Sequence, residues 1–147
     1  MNELLLIVTI AGSRVALPAA AVESVVELDM LIPVPRAPAH VAGLSALRSR
    51  VLTVIDTLRS LELGEIDCSC GIREAAVVEL EGHHYALIVD VVEDVVEALS
   101  EPSQVRAAMG SGWERVSRGM VETEEGPLLL VDINALIAGA ATEARAA

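Results

Sequence analysis

Cys68, Cys70, His83 and His84 are the side chains with the most obvious capacity for chemistry, since sulfur and imidazole ligands of this kind build zinc centres. Their spacing opposes such a site. The apolar run 75–80 between the two pairs reads as a strand, and at about 3.3 Å per residue it sets the cysteines more than ~20 Å from the histidines. No metal is expected there, except in a site shared between chains. The third histidine, His40, follows Pro38-Ala39 and reads as a local cap or surface residue rather than a general base. Glu122, Glu124 and Glu125, before Gly126-Pro127, have the charge density of a metal site but the context of a solvated strand end and turn. Gly-x-Ser-x-Gly, His-Glu-x-x-His and Gly-x-Gly-x-x-Gly are absent, and Gly110-Ser111-Gly112 continues as Trp113-Glu114-Arg115 without the third small residue. All ten basic residues are arginine, which excludes a phosphate-gripping or Schiff-base lysine. Neither an enzymatic centre nor a cofactor is expected.

The same inventory bounds the partners. Ten basic against 22 acidic residues give a net charge of −12, and Tyr85 and Trp113 are the only aromatic side chains. A phosphate backbone is repelled and base-stacking platforms cannot be assembled, so nucleic acid is not an expected partner. A hydrophobic content of 53% requires a sizeable core and excludes disorder. The longest uncharged stretches, 4–13 and 133–142, fall short of the roughly 20 apolar residues that cross a bilayer. The leader Met1-Asn2-Glu3 is acidic where a secretory signal is basic. Cys68-Ser69-Cys70 is too small a set for a disulfide framework. These features predict a cytoplasmic chain without membrane insertion.

The elements that position these residues come from an internal copy. At an offset of 70, residues 8–27 lie on 78–97 with the identities Val8/Val78, Gly12/Gly82, Ala16/Ala86, Leu17/Leu87, Val22/Val92, Glu23/Glu93, Val25/Val95, Val26/Val96 and Glu27/Glu97. A composition this rich in Val and Ala gives about two by chance. At an offset of 76, Gly43 falls on Gly119, Leu52 on Leu128 and Asp56 on Asp132. The difference implies a six-residue insertion, placed between Pro102 and Ser117. The repeats run from about 4 to 62 and about 74 to 139, followed by a frayed tail at 140–147.

In each copy an apolar run (4–10; 75–80) meets a Gly-centred turn and returns, the pattern of a β-hairpin. Short strands are predicted at 24–28 and 94–99, and a proline-studded connector at 32–38 that permits neither helix nor ladder. Buried strands at 51–55 and 128–131 run into Asp56 and Asp132, each placed to cap a short helix, 57–61 or 133–138. This is a duplicated all-β unit, built as small barrels or a sandwich. Hydropathy beyond the needs of one core predicts an exposed apolar patch lined by Leu52, Val54, Leu128 and Leu130, with self-association promoted by salt.

The segment Gly43-Leu44-Ser45-Ala46-Leu47-Arg48-Ser49-Arg50, followed by the apolar run 51–55 and Asp56, resembles the Gly-x-x-x-Leu-Arg-Gly-x-(apolar run)-Asp signature of CheW-like domains, adaptor modules of bacterial chemosensory arrays. Ala16-Leu17-Pro18, Val22, Val25 and the proline connector support the likeness upstream. Leu87-Ile88-Val89-Asp90, Val92, Val95, Gly119 and Asp132 support it downstream. The likeness extends over roughly residues 4–138, so the chain is read as a single CheW-like domain over 1–147.

The resemblance implies two packed, small five-stranded SH3-like β-barrels with short helices and no catalytic activity. It also implies two partners: the cytoplasmic tip of a methyl-accepting chemoreceptor, held between the barrels, and the regulatory domain of a CheA-type histidine kinase. Arg48 matches the family's receptor-contacting arginine, and Val22, Ser24, Leu47 and Val92 fall at the receptor groove. Gly43, Ser49, Asp56, Gly119 and Asp132 are the turn and structural positions of the motif. Two residues depart from the pattern: Ser49 stands where the family has glycine, and Ser24 where many members carry glutamate, the acid being one residue earlier at Glu23. These departures also suit a divergent paralogue in a separate twitching-type or non-motility pathway. The competing class is a small ligand-binding or hydrolytic β-barrel. Trp113 and Met109, in the inserted loop, fit either a barrel mouth or an interface.

Overall fold

β-Branched and leucine-rich runs separated by tight turns fold into strands throughout the chain. The computed structural model describes residues 3–28, 31–32, 34–38, 40–47, 50–61, 63, 73–104 and 110–139. In order, the elements are β1 (Leu4–Ile10), β2 (Ser13–Pro18), β3 (Val22–Leu28), β4 (Val41–Leu47), β5 (Arg50–Ile55), α1 (Thr57–Ser60), β6 (Arg73–Leu80), β7 (His83–Val89), β8 (Val91–Glu97), α2 (Ser111–Val116), β9 (Ser117–Thr123), β10 (Gly126–Val131) and α3 (Ile133–Ala138). The β1–β2 and β6–β7 hairpins turn through Ala11-Gly12 and Glu81-Gly82, each with two successive positive φ angles. That is the twist-matched geometry of a two-residue hairpin loop.

The strands form two five-stranded barrels, ordered β8-β1-β2-β10-β9 and β3-β6-β7-β5-β4. Each takes the first hairpin of one sequence copy and three strands of the other, so the barrels are not the sequence halves. Pairing registers repeat as the offsets require: Val8 opposes Val92 as Val78 opposes Val22, and Leu129 opposes Met120 as Thr53 opposes Leu44. The parallel pairs Leu129–Val15 and Thr53–Tyr85 are likewise equivalent.

Alternation along the strands fills three apolar layers. Leu5, Ile7, Ala16, Ala98, Val121, Leu128 and Leu130 fill the first barrel. Leu28, Leu52, Val54, Ala75, Val77, Ala86 and Ile88 fill the second. Between the barrels, Leu6, Val8, Val15, Leu17, Ile55, Val78, Leu87 and Val131 pack with Leu61, Leu136 and Ile137 from the helical segments. This corrects the expected patch: Leu52, Val54, Leu128 and Leu130 are all buried. Three layers absorb the hydropathy that appeared surplus for one core. The large apolar side chains that remain exposed include the repeat-equivalent Val25 and Val95, with Leu4, Val51, Val91 and Leu99.

Sequence and structure differ elsewhere too. β3 and β8 start earlier than expected, at Val22 and Val91, β9 extends back to Ser117 from the strand end expected near Glu122, and β4 and α2 are additional to the expected elements. β4 and β9 carry mid-strand glycines with φ of +154° and +116°. A Cβ at Gly43 would stand 2.7 Å from the Ile32 carbonyl oxygen, and one at Gly119 2.7 Å from that of Ser103. The missing side chains admit a crossing backbone, and Ile32 bridges Leu44 as Ser103 bridges Met120. The proline connector thus contributes a ladder contact at Ile32. Those bridges also split the insertion, because Leu28/Ala98, Ile32/Ser103 and His40/Val116 are offset by 70, 71 and 76.

Candidate functional site

Two equivalent strands, β3 and β8, carry the predicted groove positions. Val22 and Val92 are half-buried and pack against the layer between the barrels. The Val92 backbone N–H donates to Glu74 Oε1 at 3.1 Å, tying β8 of one barrel to β6 of the other. Ser24 is exposed on β3, opposite Val77. The fold therefore places Val22 and Val92 in the seam and Ser24 on the surface.

The β4–β5 segment holds the rest of the motif. Leu47 pairs with Arg50 through the backbone, while Arg48, Ser49 and the Leu47 side chain lie outside the described residues. Asp56 Oδ1 accepts from the Arg59 N–H at 3.1 Å, and Asp132 Oδ1 from the Ala135 N–H at 3.3 Å, so both cap short helices. The backbone of each is also fixed, Asp56 N–H donating to the His40 carbonyl and Asp132 N–H to that of Val116.

His40 is buried rather than at the surface, with Nε2 2.7 Å from the Ile137 carbonyl oxygen. The cause is its repeat equivalence to Val116, a residue of the layer between the barrels. Thr57 donates to the Ile88 carbonyl, Ser60 to that of Leu136 and Thr123 to that of Gly126. Arg115 donates to the carbonyls of Ala135 and Ser60, joining α2 to the middle of α3 and the end of α1. Trp113 packs against the layer between the barrels, so its place is the seam and not a barrel mouth. These buried and partly buried polar groups bond backbone carbonyls, which ties the helices to the strands and to one another. Cys68, Cys70 and Met109 lie outside the described residues.

Reasoning from sequence missed a charged cluster on each barrel. On the second, Arg50 Nη1 is 3.0 Å from Glu23 Oε1 and 3.2 Å from His84 Nε2, and His84 Nε2 is 3.4 Å from Glu23 Oε1 and 3.8 Å from Glu79 Oε2. A register shift between Val22 and Ser24 leaves Glu23 as a bulge residue, which turns its carboxylate toward β7. On the first, Arg14 Nε is 3.0 Å from Glu93 Oε2 and its Nη2 3.3 Å from Glu125 Oε1, while Thr9 Oγ1 donates to Glu93. The hydrogen bonds to Glu93 and then Glu125 raise the Arg14 pKa further above its usual value. The Glu23/Glu93 identity was visible in the repeat, but its cationic partners were not, because Arg14 is equivalent to His84 and Arg50 to Gly126.

Among the described residues no helix is long and apolar enough to cross a membrane. The chain is 29% identical over 114 residues to the chemotaxis protein CheW of Rhizobium meliloti (strain 1021), covering 76% of this chain and 72% of that one. It is 25% identical over 122 residues to the chemotaxis protein CheW of Treponema pallidum (strain Nichols), covering 78% and 70%. The fold is similar to that of the scaffolding protein TtCheW from Thermoanaerobacter tengcongensis, with a TM-score of 0.74 at 20% identity over 92% of this chain and 88% of that one. The model of the CheW-like domain matches residues 4–141, a span that takes in both barrels, the two Asp-capped helices and the seam between them, and the chain belongs to the CheW-like domain family.

Proposed function

We propose that the protein is a non-enzymatic, cytoplasmic chemotaxis adaptor that couples methyl-accepting receptors to a CheA-type histidine kinase. The observation that carries this reading is the family match over residues 4–141, which takes in both barrels. An adaptor needs two addresses on one rigid body, and two barrels locked by a shared apolar layer supply such a body. In this reading the receptor tip meets Leu47 and Arg48, which lie in sequence where β4 leads to β5, with Ser24 exposed on β3 and Val22 and Val92 at the seam. Arginine suits that role because its guanidinium presents a fixed fork of donors to carboxylates and carbonyls. The kinase regulatory domain meets a barrel end. Ser24 in place of an acid, with Glu23 held by Arg50, favours a second reading within the same class, a paralogue serving a separate chemosensory pathway. Affinity capture on the immobilised regulatory domain of the cognate kinase tests the proposal: retention above an unrelated β-barrel control is expected, and retention equal to the control overturns it.

A further inference from the structure

We propose that Glu23, Glu79 and His84 form a three-ligand site for a divalent transition-metal ion of the zinc type, which binds by displacing the Arg50 guanidinium. One ligand atom from each residue lies within 4.8 Å of the other two. In a tetrahedral zinc site with bonds of about 2.0–2.1 Å, neighbouring ligand atoms stand about 3.3 Å apart. His84 Nε2 is already 3.4 Å from Glu23 Oε1 and 3.8 Å from Glu79 Oε2, so small rotations of two exposed glutamates complete the geometry.

The backbone fixes the arrangement. Glu79 and His84 are direct cross-strand partners in the β6–β7 hairpin, and the β3 bulge brings Glu23 to the same face. One imidazole with two carboxylates selects a borderline ion over calcium or magnesium, which take oxygen ligands, and leaves a fourth position for water. The position already attracts positive charge, since Arg50 Nη1 contacts both Glu23 and His84. Arg50 supplies one charge against two carboxylates, whereas a divalent ion supplies two. The Arg50 side chain is 58% exposed, and an ion pair that open to solvent is weak enough to yield.

The sister barrel provides the contrast. There Thr9 stands at the position of Glu79 and Arg14 at that of His84, so Glu93 is the one ligand retained and a cation is built into the strand. Among the described residues one such site per chain follows, on the second barrel.

Isothermal titration of Zn²⁺ into the full chain carrying Cys68→Ser and Cys70→Ser, which removes competing thiolates, tests the site. One equivalent is expected to bind, with affinity lowered about tenfold or more by His84→Ala and by Glu79→Thr. His83→Ala should leave it unchanged and Arg50→Ala should raise it several-fold. Should His84→Ala fail to fold, Glu79→Thr, which copies the sister barrel's own residue, decides. Zn²⁺ affinity unchanged by His84→Ala or Glu79→Thr, or no gain from Arg50→Ala, overturns the proposal.

Discussion

The two barrels have one backbone plan and different fillings. Where the first places Leu5 and Ala98, the second has Ala75 and Leu28 at the equivalent positions, so the large and small partners have changed strands. Ile7, Val121 and Leu130 of the first become the smaller Val77, Ser45 and Val54, and the second barrel gains Ile88 where the first has half-buried Pro18. Large and small side chains are redistributed among the strands, as a close-packed interior tolerates when neighbours compensate. The β1–β2 and β6–β7 turns, the bulges, the mid-strand glycines and the capping aspartates do not move. What is shared is therefore backbone geometry, and what has diverged is packing and surface charge.

The largest expected effect breaks the packing side of this comparison. Leu5→Ala and Leu28→Ala should each cost about 2–5 kcal/mol, measured by denaturant unfolding. Adding Ala98→Leu to Leu5→Ala copies the second barrel's arrangement and should recover part of the loss, whereas two independent penalties would show that the partners do not compensate.

Next come the glycines that the copies hold in common. Gly43→Ala and Gly119→Ala place a methyl against a carbonyl at positive φ, and each should cost about 1–3 kcal/mol. Near-equal losses are expected from the equivalent geometry. A loss at one site alone would mean the two crossings are built differently.

The caps follow. Asp56→Ala and Asp132→Ala should each cost about 0.5–2 kcal/mol, with Asp56 the costlier because it is the more deeply buried. The reverse ranking in thermal melts would place the difference outside the caps.

The surface clusters come last. Arg14→Ala and Arg50→Ala should shift the melting temperature little, and whatever shift appears should shrink as salt is added, because the pairs are exposed. A salt-independent loss at Arg14 would assign it to packing.

The repeat made much of the fold legible. Identities such as Gly12/Gly82 and Asp56/Asp132 carried turns and caps directly, because a positive φ or an N-cap is satisfied by one residue type at one position. Strand β4 and the start of β9 were not legible, because their glycines, read in sequence as turn and structural positions of the motif, sit in mid-strand and admit a crossing chain. Leu52, Val54, Leu128 and Leu130 were assigned to the wrong side because the number of apolar layers depends on how strands are shared between barrels. His40 was misplaced for the same reason, since its burial comes from α3, 97 residues away in sequence. The Glu23–Arg50–His84–Glu79 cluster joins four strands across a barrel surface and has no local signature. The proposed receptor-binding set rests on the resemblance alone, since an arginine such as Arg48 carries no folding signal of its own.

Bridging is the most direct test of the adaptor reading. The kinase regulatory domain is passed over immobilised receptor tip with and without this chain, alongside the Arg48→Ala variant. The account predicts that kinase retention rises when the chain is present and falls with Arg48→Ala, while the variant keeps its melting temperature and its binding to the kinase domain. Kinase retention that is the same with and without the chain would contradict it.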